Sequence, residues 1–362
     1  MAANLVAPSV SGYGNHQGGW TVESWIVRII ALTIAVMLAV GVAVSLVVIY
    51  NNQTPEPTLL LTKIGQIEIG EAAADVKVVG DIAYVIDQDE HTLGGLVLIN
   101  ISDPSNPSEL SSYRDGGWPQ KVDVAGSFAY IADALYGLEI INVSDPTDPS
   151  KVGEYVGSGE VYDVQVVGNI TFIADWNNGL VILNVSDPSS PEYLSSYPIT
   201  GACHHLHVVD SLAFVVDHRS TQTGVRVVNV SDPLHPVSAG SYMPDDDIWN
   251  PFVCGDYMYT GNHELGGGEL LILNASDPSE ITQSGSFDAN GSIFAVYVAG
   301  SIAYVADAQL GLLIVDVSTP QSPVLIASFY DEDEAVNLDV VGDFVYVAYR
   351  TGVLEIIQVS IV

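Results

Sequence analysis

Three histidines fall within four residues in the stretch CHHLHVV, residues 203–209, as His204, His205 and His207. Downstream lie His218 and His263, the latter followed by Glu264, and far upstream lies His91. Imidazole and carboxylate donors suit zinc or a similar transition metal. One chemistry open to this chain is therefore a divalent ion held by His204 or His205 with His218, His263 and Glu264. The acidic runs MPDDDIWN and YDEDEAVN offer the oxygen ligands that calcium takes, although their spacing follows no known calcium loop. NHELG is not H-E-x-x-H, and neither G-x-S-x-G nor a phosphate-cradling loop occurs. Lys121 among carboxylates reads either as a tuned base or, more simply, as an ion pair. No nucleophile is guaranteed a neighbouring base, so no catalytic residue and no cofactor is assigned.

Positioning these groups falls to a repeat. Asn100, Asn142, Asn184, Asn229 and Asn274 open "N-x-S-D-P" units, and Asp316 and Gln358 stand at the same place in two further copies. An aromatic marker runs in step at Tyr84, Tyr130, Phe172, Phe214, Tyr259, Tyr304 and Tyr346. Seven copies spaced by 42 to 46 residues match the period of four-stranded propeller blades. Within one copy, VYDVQVVG reads as an inner strand, TFIAD as the second, GLVILNV as the third and EYLSSY as the outer strand. The runs are apolar on both faces, as sheets stacked between neighbours require. The seventh copy stops after its third strand, and residues 57–71 match the missing outer strand and its exit. The expectation is an all-β, seven-bladed propeller closed by its N-terminal strand, which removes an open sheet edge.

The repeat also shows where variation is allowed. From each Asn-type marker to the next aromatic marker the interval is always 30 residues. From aromatic to Asn-type marker it is 12 in four copies, but 16 in the first and 15 in the fourth and fifth. All insertions therefore lie between second and third strands, on one face, here called the top. Insertions confined to one face commonly mark the binding face. The three long loops carry His91, His218 and His263. Just ahead of the inner strands stand Asp75, Lys121, Asp163, His205 and Asn250, with Trp249 beside the last. The acids ending the second strands, from Asp87 to Asp307, recur in nearly every copy and read as turn-forming.

GLLIVDVSTP (311–320), GLEIINVSDP and GLVILNVSDP, each preceded by a stretch such as AYVAD, resemble LVIVD repeats. The resemblance covers residues 57–362 and implies a propeller at a cell surface or in an exported protein. It implies no particular chemistry. One departure is that the Asp closing the motif survives only as Asp316.

Nine Lys and Arg against 44 Asp and Glu give a formal charge of −35, which excludes a general nucleic-acid binder. Such a surface stays soluble by self-repulsion and attracts cations. Ile29 to Tyr50 is an uncharged run that spans about 33 Å as a helix, enough to cross a bilayer. Arg28 precedes it and acidic chain follows, so the N-terminus is expected in the cytoplasm and the large domain outside. No convincing cleavage site follows the run, which favours an uncleaved signal anchor over a signal peptide. The expected organisation is a cytoplasmic tail (1–28), an anchor (29–50), a linker (51–56) and the propeller (57–362), in a single-pass cell-membrane protein. Ala31, Ala35, Ala39 and Ala43 recur every fourth residue, a spacing that permits self-association in the membrane.

Eight N-x-S/T sequons occur, at Asn52, Asn100, Asn142, Asn169, Asn184, Asn229, Asn274 and Asn290. Outside the membrane they are candidates for glycosylation, although five coincide with turn chemistry at the corners. Cys203 and Cys254 fit no metal spacing and are expected to be unpaired. The leading functional expectation is a non-catalytic module that binds an extracellular protein, glycan or surface-layer partner through its top face. The alternative is a metal-dependent surface enzyme, hydrolase or oxidoreductase, using the histidines of the fourth and fifth copies.

Overall fold

The computed structural model describes residues 59–88, 94–218, 223–244, 248–262 and 268–361. The expected anchor and linker, Asn52, His91, His263, Glu264 and the acids Asp245 to Asp247 lie outside the described residues. Among the described residues no helix is long and apolar enough to cross a membrane.

The seven copies form seven four-stranded antiparallel sheets. Blade three is representative: Val161–Val167, Ile170–Asp175, Gly179–Asn184 and Glu192–Tyr197 follow in chain order from the axis outward. The inner strands are Ala73–Val79, Pro119–Ala125, Val161–Val167, Ala202–Val209, Ile248–Cys254, Ile293–Ala299 and Ala335–Val341. Each neighbours the next, and the last neighbours the first. In blade seven the strand Leu59–Glu68 pairs with Val353–Ile361, from Leu59 opposite Ile361 to Glu68 opposite Val353.

Both faces of each sheet are dry, because each blade packs on two others. In the third strand of blade one, Val97 and Ile99 pack toward blade seven while Leu96 and Leu98 pack toward blade two. The core is thus seven apolar layers, one between each pair of neighbouring blades. Fully burying a Leu or Val side chain contributes about 1.5–3 kcal/mol, which is why these strands read as unbroken apolar runs.

The Asn-Val-Ser-Asp-Pro corners do two jobs. Asn184 Oδ1 accepts the Ser186 amide at 3.0 Å, and Asp187 Oδ1 accepts the Ser189 amide at 3.0 Å. Asp316 accepts the Ser318 amide in the same way, so Asn and Asp serve this turn alike. Beyond the turn, the proline carbonyl touches the outer strand of the preceding blade. Ser195 donates its hydroxyl to the Pro233 carbonyl at 2.6 Å, and Ser111 does the same to Pro146. Where the outer strand carries Gly at this place, the carbonyl comes closer still. A Cβ on Gly240 would lie 1.7 Å from Pro278 O, and one on Gly153 would lie 2.0 Å from Pro188 O. Gly65, in the first strand, meets Pro104 of blade one by the same contact. Blade six has Ala327 here, facing the one blade whose aligned corner residue is Val362 rather than proline.

Candidate functional site

The site follows from one irregularity. Each inner strand slips register with its second strand near its top end, as between Ala73 and Asp75 or between Val161 and Asp163. Such a bulge puts an extra residue on the strand and re-aims its side chain. The residues at or beside these slips, Ala74, Gln120, Tyr162, His204, Trp249, Phe294 and Val336, all line one hollow of about 320 Å³ at the mouth of the axial channel. Below them, inside the strands rather than ahead of them, come Asp75, Lys121, Asp163, His205, Asn250, Ala295 and Asn337. A second tier follows two residues on, with Lys77, Asp123, Gln165, His207, Phe252, Tyr297 and Asp339, around an axial cavity of about 430 Å³.

The two tiers hand hydrogen bonds around the axis. Asp75 Oδ2 accepts the Val122 amide at 2.8 Å, Asp123 Oδ2 the Val166 amide at 2.8 Å, and Asp163 Oδ2 the Leu206 amide at 3.0 Å. His207 Nδ1 accepts the Val253 amide at 2.7 Å, and Asp339 Oδ2 accepts the Val78 amide at 2.8 Å. Asn337 Nδ2 donates to Asp75 Oδ1 at 2.6 Å, joining blade seven to blade one. Each acceptor sits on one blade and each amide on the next, so these polar groups hold the blades together.

Charge in the channel is balanced locally. Lys121 Nζ lies 3.6 Å from Asp75 Oδ1, and Lys77 Nζ lies 3.3 Å from Asp123 Oδ1. Burial raises the Asp75 pKa to about 6, against the pull of Lys121. Burial also opposes the charge on Lys121, but Asp75 and Asp163 outweigh it and its pKa is raised. His207 is pushed down to about 4 by burial, in keeping with a neutral ring that accepts the Val253 proton.

At the mouth the rings form a continuous crescent over blades three to five. Tyr162 lies 5.3 Å from Trp176 and 4.9 Å from His204, centroid to centroid. Trp176 and His204 are 4.4 Å apart edge to face, and Trp249 lies 5.7 Å from His204 and 5.9 Å from His218. Across the mouth the Arg350 guanidinium stands 5.5 Å from the Phe294 centroid while pairing with Glu334. Burial and the neighbouring His205 and His218 push the His204 pKa down to about 3, so its ring is uncharged at neutral pH.

The structure therefore brings His204, His205, His218 and Trp249 together, with Lys121 and Asn250 at the same mouth and Asp75 and Asp163 buried just beneath. The histidines meet by their rings. His218 Nδ1 is 3.0 Å from the Thr223 hydroxyl, and His205 Nδ1 is 3.7 Å from Asp163 Oδ2. Among the described residues, the one group bringing three ligand atoms within 4.8 Å is Asp115, Asp133 and Glu139, away from these imidazoles. The Lys151 ammonium already sits 2.5 Å from Glu139 there.

The acids ending the second strands are buried and bonded. Asp175 Oδ1 accepts the Asn177 and Asn178 amides, Asp307 Oδ1 accepts those of Gln309 and Leu310, and Asp217 pairs with Arg226 at 2.9 Å. The five corner sequons are half-buried Asx turns, while Asn169 lies at a strand turn and Asn290, at positive φ, lies near the end of the outer strand Thr282–Gly291. Cys203 and Cys254 are both free.

Sequence reasoning missed Tyr162, Trp176, Gln120 and Phe294. Strict alternation places residue 162 on the face opposite 163, and only the bulge turns both inward. The readable signal was an aligned column holding Tyr, His, Trp and Phe in consecutive copies.

Fold and repeat together define a seven-bladed LVIVD-type propeller. The LVIVD repeat model matches residues 70–115, 116–156, 158–198, 247–289, 290–331 and 334–360, and the chain belongs to this family. The matches pass over residues 199–246, the blade that carries CHHLH. No curated protein matches the chain. Among solved structures, it is similar to the crystal structure of the computationally designed Ika8 protein. The TM-score is 0.61 and the identity 9%, over 82% of this chain and 99% of that one, a likeness of fold alone.

Proposed function

We propose that this protein is a membrane-anchored, extracellular binding module whose propeller, fastened by its N-terminal strand, engages a protein, glycan or surface-layer partner through the top face. The observation that carries the reading is the half-exposed crescent of Tyr162, Trp176, His204 and Trp249 at the channel mouth. Half-buried aromatic rings on a rigid scaffold are the residues that dominate recognition energy. The apolar run 29–50, the acidic composition and the family's surface association support the anchored, outward-facing arrangement. The corners, near the chain's entry at Leu59, then face the membrane.

Proteoliposomes carrying the full chain, mixed with envelope fragments of the source cells, test this in a sedimentation assay. Trp249→Ala and Trp176→Ala are expected to weaken attachment, while Tyr193→Ala on an outer strand is not. Attachment that survives both mouth substitutions removes the top face as the binding face. Protease added to intact cells is expected to digest residues 57–362, and full protection there overturns the orientation.

A further inference from the structure

The mouth hollow differs from the rest of the molecule in its chemistry. The chain carries 44 Asp and Glu, yet among the described residues none lines this hollow. Its polar lining combines carboxamide, from Gln88, Gln120, Asn250 and Asn337, with imidazole, from His204 and His205, beside the rings of Tyr162, Trp249 and Phe294. Two cations reach it, and both are compensated from behind: Lys121 by Asp75 and Asp163, and Arg350 by Glu334. Among the described residues, both of these cations are thus already paired.

From this lining we infer that the mouth binds a neutral sugar, the terminal unit of a glycan. A pyranose presents an apolar C–H face and a rim of hydroxyls that both donate and accept. The indole and phenol rings match the face, and the carboxamides of Gln88, Gln120 and Asn250, which also donate and accept, match the rim, Asn337 being engaged with Asp75 and Leu338. The volume of about 320 Å³ lies at the small end of the ~300–1,000 Å³ range of ligand pockets, which suits one ring better than a peptide or lipid chain. Selectivity against charged sugars comes from the compensated cations, since an extra carboxylate or ammonium would lose its water without gaining an ion pair. The inference rests on the top face being the binding face.

The test uses the full chain in lipid nanodiscs, free of glycoside detergent. The probes are glucose, galactose, mannose, N-acetylglucosamine and N-acetylgalactosamine, with glucuronate and glucosamine as charged counterparts. Binding is read by saturation-transfer NMR and tryptophan fluorescence. At least one neutral sugar is expected to bind, with Trp249→Ala and His204→Ala each weakening it by about thirty-fold, as for a hot-spot ring. Trp249→Phe keeps a ring in place and is expected to retain most binding, which separates loss of stacking from loss of fold. Binding by none of the five, binding unchanged in Trp249→Ala, or binding of the charged sugars alone each overturns the inference. If mouth substitutions still abolish envelope attachment while no sugar binds, the ligand class fails and the binding face stands. Attachment indifferent to those substitutions removes the face itself.

Discussion

Ser195 of the third blade donates its hydroxyl to the carbonyl oxygen of Pro233 in the fourth, at 2.6 Å. The repeated corner is therefore a latch between blades as well as a turn. The same place carries Ser111 in blade one, Gly in four other outer strands and Ala327 in blade six. Gly stands where the next proline carbonyl leaves no room for a Cβ, and Ser where its hydroxyl can reach that carbonyl.

Filling a latch glycine should be costly. A Cβ at Gly240 would fall 1.7 Å from a backbone oxygen, so strand and corner must part. Gly240→Ala is expected to lower unfolding free energy by about 1–3 kcal/mol, the range for overpacking. Ala327→Gly should cost no more than about 1 kcal/mol. Chemical denaturation of the two variants checks the contrast, and equal losses would remove the latch as the reason.

At the corners, Asn142→Asp should leave stability within about 0.5 kcal/mol, because only the side-chain oxygen serves the turn, as Asp316 demonstrates. Asn142→Ala should lose about 1 kcal/mol. If the amide carries sugar in a glycosylating host, the Asp variant also loses that mass. Thermal melting and intact-mass measurement read the two effects separately.

Two buried glutamates occupy the same third-strand position, Glu139 in blade two and Glu355 in blade seven. Lys151 pairs with the first at 2.5 Å and Lys63 with the second at 2.7 Å. Lys151→Met should cost about 3–5 kcal/mol, since it strands a buried carboxylate. Adding Glu139→Leu should restore most of that loss. A double-mutant cycle that shows simple additivity would mean the pair is uncoupled.

Stability should rise on mild acidification. Burial lifts Asp75 and Asp133 from 3.8 to about 6 and Glu139 from 4.5 to about 7. Between their unfolded and folded values these groups hold protons that the unfolded chain has already lost. Their contribution is present below about pH 4 and fades as pH rises through about 6 to 7. Corner acids such as Asp145 and Asp187 are shifted down by hydrogen bonds from Thr147 and Ser189, and their contribution fades at still lower pH. The melting temperature should therefore be higher near pH 5 than near pH 7.5, and Asp75→Asn should flatten that slope. A melting temperature that climbs with pH over this window contradicts the assignment.

Most of the architecture was legible because it repeats. The Asn and aromatic markers set the blade count, and the constant interval of 30 residues identified the segment that could not vary. The contact of a proline carbonyl with the preceding blade was not legible because it joins residues from different copies. The acids Asp175 and Asp307 were readable as turn formers from their recurrence. Asp75 and Asp163 were read as rim groups and stand inside the channel as blade-to-blade acceptors. The crescent of rings was hidden by the bulge, which breaks the alternation on which strand reading depends.

The pairing of Leu59–Glu68 with Val353–Ile361 has a mechanical side. Tension applied to the chain ahead of Leu59 enters the propeller through a single ladder, beginning at the Leu59–Ile361 end. The contact of Gly65 with Pro104 stands behind it as a second stop. Any load carried in along that strand would thus reach the seventh blade first, and the other six only through what that seam transmits.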